Sequence, residues 1–594
     1  MTIAKGGAVT TTISRRTLFA GLGLSAAAIG LSACTGSKSP NGSGSTTPFP
    51  TAWSDEITID VFDGLANQMG TQPGWFAKIV KDKFNLKLNI IAPNVAGGGD
   101  TLYNTRVAAG NLGDLIITDK GQKMDELVPG GLLADMTVYY PSMTHAARFD
   151  KAVKHLSDGK DGVYGVPTQV STLKPNESSE GVDPTFGPFL RWDLYGKVGY
   201  PAVGTLEDLL PVLKQMQDAS PTADNGKKTY AISLFKDWDG NMMNNAKQPA
   251  CYYGYDEMGF VLAMADGSDY QGILDSNSNY IRNLRWFHKA NQMGLVDPDS
   301  TTQNYDTLYT KIQNGQVLFS FWPWQGQAAY NTDAHMAAGK GFMIAPLKDM
   351  KIFSYGAEAY GGQQILAIGS KAKDPERVAA FADWLFSSDG VYTNNSQTMG
   401  AAGPKGLTWD VNSAKLPELT DFGKKALVGG GADVPAEWGG GTYKDGASWI
   451  NTTLVMPIDK DPDTGYPYSY KMWKTYQDSS KNSLTKDWAS RMGGAATTMD
   501  YLRQNKQVIV GPGASFTTPT DSSVIETTRN QVKAIIIQQS WKMSFAGSDS
   551  EFESLLSDMQ KTADGLGYQK VLAVDMAYAK AQNDARIAIV KEFA

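Results

Sequence analysis

Histidine and cysteine are nearly missing from this chain. Four histidines (His145, His155, His288, His335) and two cysteines (Cys34, Cys251) occur in 594 residues. No two histidines stand at helical metal spacing, and no H-E-x-x-H, C-x-x-C, G-x-S-x-G or Walker A pattern occurs. A zinc site or a histidine-based triad is therefore poorly supported, and the sequence implies neither a metal nor a cofactor. Basic charge is not in excess either. The formal net charge is -7, which argues against a nucleic-acid partner, since that needs a basic footprint. Beyond the leader, no apolar run approaches the roughly 20 residues of a membrane-spanning helix. Cys251, beside Tyr252 and Tyr253, reads as a small buried hydrophobe. If Cys34 is modified, no internal disulfide can form, and the fold must rest on its core.

What is present begins with a leader. Ser14-Arg15-Arg16 precedes an apolar run from about Leu18 to Ala33, which ends in Leu31-Ser32-Ala33-Cys34. A basic start, a short apolar core and small residues before a cut form the pattern of a secretory signal. The cut site resembles the lipobox of bacterial lipoproteins, whose cysteine is acylated and becomes the first mature residue. Ser14 to Phe19 also resembles a twin-arginine export signal. Residues 1–33 are therefore expected to be a signal peptide and Cys34 a lipidation site. Residues 34–54 (SKSPNGSGSTTPFP at their heart) cannot bury a core and read as a flexible tether, with an end-to-end distance of roughly 25 Å.

The body predicts an α/β protein of two or three domains. Ile57 to Phe62 alternates as a strand, Trp75–Phe84 reads as a helix, and Leu86–Ile91 alternates again. A second helix over 101–109 and a buried strand at 113–117 complete a βαβ pattern, the mark of a mostly parallel sheet. Ligands bind such sheets beyond the carboxyl ends of the strands. The amide-rich loop 63–72 stands at such an end. Further along, Val317–Phe321 predicts a strand running into Trp322-Pro323-Trp324-Gln325. Asp374-Pro375-Glu376 announces a helix with a cap and a first-turn proline. Residues 412–520 carry a weaker pattern, with loops at Gly429–Gly431 and Gly439–Gly441. The C-terminal part is helical, from 524 to 545 and again from a capping box at 550–553.

Several stretches together resemble the extracellular solute-binding proteins of carbohydrate ABC transporters, in particular the large lipoprotein type that includes alginate-oligosaccharide binders. They are 160–167, 191–199, 374–390, 403–409 and 541–568, and they occur in matching order over about residues 55 to 570. The resemblance implies a two-lobed periplasmic-binding-protein-like fold with an interlobe hinge and a ligand cleft. Lobe one is expected to hold 55–170 with 356–405, and lobe two 171–355 with 406–594. It further implies an oligosaccharide ligand, two permease subunits, an ATPase acting through them, a membrane contact through the lipid anchor, and a monomer with no enzymatic activity. One departure concerns calcium. Some relatives carry an acidic calcium loop after the helix near 205–217, whereas here Pro221 and Thr229 replace two of its acids.

A sugar ring offers an apolar C–H face to an aromatic ring and a rim of hydroxyls to polar side chains. The platform is expected at Trp322 and Trp324, one of the pair facing the cleft and the other the core. Trp75, Trp238, Trp438 and Tyr443 are further aromatic candidates. Asp63, Asn67 and Gln72 are the expected polar partners from lobe one, with Tyr360, Gln363 and Gln364 at the expected lobe crossing. Two alternatives stay open at this stage. A glycan-processing enzyme needs only two carboxylates, and a receptor for a peptide could use Asp63 for an amino terminus.

Overall fold

Residue Ile57 opens a strand whose alternating side chains feed two apolar layers at once. Ile59 and Val61 point into one layer and Phe62 into the other. That strand (Ile57–Asp63) lies at the heart of a six-stranded sheet with the spatial order 70–71, 86–91, 57–63, 115–119, 364–368, 166–167. Leu86–Ile91 and Leu115–Asp119 run parallel to it, with Ile57 opposite Leu86 and Val61 opposite Leu115. Gln364–Ile368 enters antiparallel, setting Gln364 opposite Asp119. Parallel strands covered on both faces read as continuous apolar runs, and Leu115, Ile116 and Ile117 are all buried. The computed structural model describes residues 48–594 apart from 94, 96–99, 396–399 and 429–430. The signal peptide, Cys34 and most of the tether lie outside the described residues. So do Gly429 and Gly430, where a loop was expected.

The helix Gly74–Phe84 packs Trp75, Phe76, Val80 and Phe84 against one face of the sheet. It ends at Asn85 in the left-handed region (φ 52°), a conformation that asparagine tolerates better than most residues. The helix Pro375–Leu385 covers the same face. Its cap is the one expected: Asp374 accepts from the Arg377 N–H, and Pro375 opens the first turn. Residues 406–476, expected with lobe two, pack into this first core instead. Leu407, Trp409, Leu419, Tyr443, Tyr468, Tyr470 and Trp473 all belong to it. The segment has short bridges and loops rather than long elements, so no periodicity betrays which core its aromatics fill.

The second core is built on the strand Phe189–Arg191, flanked antiparallel by Phe319–Ser320 and Phe342–Ile344. The helices Leu209–Ala219 and Asn279–Gln292 pack on it, as do the C-terminal helices Ser523–Ser544 and Asp549–Leu566. The cap of Asp549–Leu566 is Ser548, two residues before the expected start.

The chain passes between the cores several times. Val170 bridges to Val455 and Ser178 to Gly356, while Ile352–Tyr355 pairs in parallel with Val508–Gly511. Asp459 fastens one crossing, accepting from the Ser171 hydroxyl (2.5 Å) and the Thr172 N–H (2.7 Å). Glycine is required where backbones touch. A Cβ on Gly356 would lie 2.1 Å from the Pro175 carbonyl oxygen, and one on Gly513 2.2 Å from that of Ala357. The last helix, Tyr568–Glu592, packs its start on the second core and its end, through Ile589, on a small cluster with Ala359 and Tyr360. Near its start the Asp575 carboxylate accepts from the Phe260 N–H (2.7 Å) and pairs with Arg529 (2.7 Å). At its end Glu592 accepts from the Tyr360 hydroxyl, and Tyr360 stacks on His155 with ring centroids 3.8 Å apart. No helix among the described residues is long and apolar enough to cross a membrane.

Candidate ligand-binding site

The strand Phe319–Ser320 ends one residue before Phe321, and the chain then turns sharply into a helix. Trp322 is extended (φ -137°, ψ 140°) and caps the helix Pro323–Tyr330, with Pro323 at its first position. The Ser320 hydroxyl steadies the turn, accepting from the Trp322 N–H (3.3 Å) and donating to the Gln325 side-chain oxygen (3.0 Å). The extended cap sends Trp322 inward, where it is 3% exposed, while Trp324 in the first turn is 42% exposed. Their rings stack at 4.9 Å. Trp238, on a separate loop, is 43% exposed and its ring lies 5.6 Å from that of Trp324. Tyr305 stacks behind Trp238 at 4.7 Å, and Phe235 meets it edge-on at 4.8 Å. The Trp238 loop is pinned by Asp239, which accepts from Trp541 Nε1 (2.7 Å) and the Asn244 N–H (2.8 Å). Burial raises the Asp239 carboxyl above its ordinary pKa, against the lowering pull of the Trp541 bond. Two half-exposed indoles are thus held rigid by buried aromatics, the arrangement that lets a ring surface bind without losing rotamer freedom.

A polar row leads from this platform to the lobe crossing. Asn241, three residues after Trp238, donates to Glu257 (3.2 Å). Lys247 sits 3.7 Å from Glu257 and 3.4 Å from Asp256, its side chain only 12% exposed. The Tyr355 hydroxyl donates to the other Asp256 oxygen at 3.3 Å, and Tyr355, at the end of a crossing strand, is 40% exposed. On the other side of Trp324 lies a pocket of about 700 Å³ that also takes in Asp183, Lys471, Tyr476, Trp488 and Thr498. Tyr476 packs on the first core and Trp488 on the second, so the pocket opens between them. Burial raises the Asp183 carboxyl, while Thr498 and Lys471 pull it down. The sequence offers Trp238-Asp239-Gly240-Asn241 as one candidate stretch, but sequence reasoning missed Lys247, Asp256, Glu257, Tyr355 and Asp183. No local signal marks them, because they meet only through tertiary packing.

The lobe-one candidates divide sharply. Trp75 is fully buried, its indole N–H donating to the Tyr443 carbonyl (2.8 Å) and its ring stacked on Tyr443 at 5.0 Å. Neither ring is open to a ligand: Trp75 and Tyr443 are core residues that seat the 443–451 loop on the first helix. Gln72 is also buried and joins the same segments, donating to the Ala447 carbonyl and accepting from the Trp449 N–H. Trp438 is half-buried against the first core. Asp63 ends its strand fully buried, accepting from the Leu65 N–H (2.9 Å) and the Asn451 N–H (2.7 Å). Its burial pushes the carboxyl up to about 6, although those bonds favour the charged form. It is a clamp that sets the loop, not a rim contact. Gln364 accepts from the Thr452 hydroxyl (3.0 Å), and Tyr360 is engaged by Glu592. Asn67 and Gln363 are exposed at the strand ends. The structure therefore gathers Trp238, Trp322 and Trp324 on the second core, and Asp63, Gln72, Trp75 and Tyr443 inside the first.

The calcium loop can be tested directly. Asp224 is the one acid left in 220–229. Its carboxylate is taken by Lys340 (2.6 Å) and by the Tyr330 hydroxyl (2.6 Å). Burial pushes against its charge, but Lys340 and Tyr330 prevail and hold its pKa below the ordinary value. Asn225 is spent on the Lys227 N–H and Gln316. No cluster of three or more acids, histidines or cysteines suited to a metal occurs among the described residues. The loop does not fit calcium, which needs several free oxygen ligands. Lys340 supplies the positive charge there.

No protein-family model and no curated protein matches the chain. Solved structures do. An HMO-binding ABC-transporter-associated solute-binding protein from Bifidobacterium longum infantis superposes with a TM-score of 0.57 at 13% identity, covering 88% of this chain and 98% of its own. The S. pneumoniae ABC-transporter substrate-binding protein FusA, in complex with kestose, gives 0.55 at 14% identity, covering 88% of this chain and 99% of its own. An alginate-binding protein without calcium ion gives 0.53 at 16% identity, covering 89% of this chain and 98% of its own. Identities so low speak for the fold alone, and the fold of this chain is that of the two-lobed ABC-transporter solute-binding proteins.

Proposed function

We propose that this protein is the substrate-binding component of an ABC importer, which captures an oligosaccharide between its lobes and delivers it to a pair of membrane permeases served by an ATPase. The observation that carries this reading is the Trp238–Trp324 pair: two half-exposed indoles, rigidly backed, on a fold whose solved relatives bind glycans. Each indole offers an apolar face to a pyranose ring, and Asn241, Glu257 and Asp256 stand ready for its hydroxyls. Asn67 and Gln363 contribute from lobe one. Closure requires contacts that only the closed form makes, so both lobes must touch the ligand. The protein performs no covalent step in this scheme. Cys34 carries the acyl chains that hold it on the outer face of the cell membrane. A single chain binds a membrane only marginally, so the anchor uses more than one. The tether then raises the local concentration of receptor at its transporter.

A thermal-shift screen of the mature protein across oligosaccharides tests this. A ligand that binds only the folded state raises the melting temperature. At least one oligosaccharide is expected to do so, and its effect is expected to fall in Trp324→Ala. A complete panel without a shift, alongside a shift with peptides, would overturn the sugar reading in favour of a peptide receptor. New reducing ends after incubation would instead reveal a glycan-processing enzyme.

A further inference from the structure

Three arginines are buried among the described residues: Arg191, Arg377 and Arg586. Two of them are fully engaged. Arg191 holds Asp193 with two parallel bonds (2.9 and 2.8 Å), and Arg377 holds Asp374 (3.0 Å) and the Asp55 carbonyl (2.7 Å). Arg586, on the last helix, is 8% exposed, yet it makes no hydrogen bond and no ion pair among the described residues. Asp256 and Glu358 act on it only at a distance. Both are taken already: Asp256 by Lys247 and the Tyr355 hydroxyl, Glu358 by the Ser515 N–H and hydroxyl. Burial pulls the guanidinium pKa below its ordinary value, while those two acids pull it back. A desolvated charge without a partner costs stability, and a folded chain keeps one where something else answers it. The position of Arg586 says what that could be. Its Nη2 lies over the lobe crossing, where a Cβ on Gly511 would stand 3.2 Å away. Gly511 pairs with Tyr355, which is 40% exposed and donates to Asp256. Arg586 therefore continues the polar row that starts at Asn241 beside the Trp238 indole. None of its nitrogens is sealed from solvent, so the fork of N–H donors stays within reach.

We propose that Arg586 reads the ligand: its guanidinium donates two parallel bonds to a pair of neighbouring oxygens on one sugar residue, at the end of the row away from the indoles. This rests on the receptor reading and adds a residue to its site. Two adjacent ring hydroxyls and the carboxylate of a uronate both present such a pair to a planar fork. Titration calorimetry of the native protein, Arg586→Lys and Arg586→Met, with neutral oligosaccharides and with oligogalacturonides, tests it. Lysine keeps the charge without the fork, and methionine keeps only the apolar stem. The series that binds the native protein is expected to lose about tenfold or more in affinity in both variants, a difference of ~1.4 kcal/mol. A loss in the neutral series assigns the hydroxyl pair, and a loss in the oligogalacturonides assigns the carboxylate. The ligand-free melting temperature is expected to stay level or rise, because neither variant gives up a protein partner. Native affinity in Arg586→Lys would overturn the assignment and leave the receptor reading standing. A melting temperature lowered in both variants would overturn it too, since that marks a packing role. Failure of both series to bind the native protein would overturn the receptor reading, and this one with it.

Discussion

Replacing Trp324 and Trp322 one at a time separates binding from folding. The two rings are stacked neighbours, yet one is 42% exposed and the other 3%. A tryptophan presents up to about 250 Å². Roughly 100 Å² of Trp324 is therefore open to a ligand, of which a sugar face covers about half or more. At ~25 cal/mol per Å² that contact contributes about 1.3 to 2.5 kcal/mol. Trp324→Ala is thus expected to weaken oligosaccharide binding roughly ten- to sixty-fold. It also loses the buried half of the ring, at a stability cost of about 1–2 kcal/mol, less than a fully buried aromatic. Trp322→Ala removes a ring packed among Phe235, Phe321 and Trp324. Its cost falls on folding, about 3–5 kcal/mol. The assays are titration calorimetry with a bound oligosaccharide and urea unfolding of each variant. Trp324→Ala with wild-type affinity and an intact fold would refute the platform. Trp322→Ala with wild-type stability would refute the division of labour between the rings.

Three further outcomes follow from particular side chains. Asp63 carries a pKa raised from 3.8 to about 6. A carboxyl raised on folding stabilises fully below its unfolded pKa, and that contribution is lost as pH rises through the folded value, here roughly 3 kcal/mol between pH 4 and 7. The stability of wild type relative to Asp63→Asn is therefore expected to fall as pH rises through that window, and a gap independent of pH in urea titrations would count against it. Because Lys340 holds Asp224, adding calcium or a chelator is expected to leave the melting temperature unchanged, and a calcium-dependent rise would show that the loop binds metal after all. Trp75→Ala is expected to lower stability by about 3–5 kcal/mol while sugar affinity per folded molecule stays near wild type. A selective loss of affinity would return Trp75 to the cleft.

The sequence was readable where the governing interactions are local. Alternation at Ile57–Phe62 predicts the strand because neighbouring residues face opposite layers. Asp374-Pro375 predicts a helix start because cap and first-turn proline act within one turn. The exposed tryptophans were legible as large apolar residues in polar loops. Trp75 and Tyr443 are as large, and Gln72 as polar, as a cleft residue would be, yet all three are interior, because each joins segments far apart in the chain. The Gln72–Ala447 bond alone spans 375 residues. Nothing near Gln72 could disclose that partner. The polar row from Lys247 to Tyr355 was illegible for the same reason, since its members come from three separated stretches. The crossing of 406–476 into the first core escaped notice because aromatic residues without periodicity fit either core equally well.

The interleaving of the two cores sets a schedule for synthesis. The first core needs residues from Ile59 to Val170 and again from Leu366 to Trp473, and the second needs Phe186–Phe353 with Leu484–Val571. A ribosome delivers about 5–20 residues per second. The half-sheet ending near Val170 therefore waits about 15–60 s for Trp473 to emerge, with strand edges and apolar faces uncovered. The Phe186–Phe353 part of the second core is made inside that wait, and the last helix, whose Tyr568 and Val571 complete that core, arrives at the end. Until Trp473 emerges the nascent chain exposes the apolar surface on which misfolding and aggregation start, and a ribosome stalled before Trp473 presents two unfinished cores.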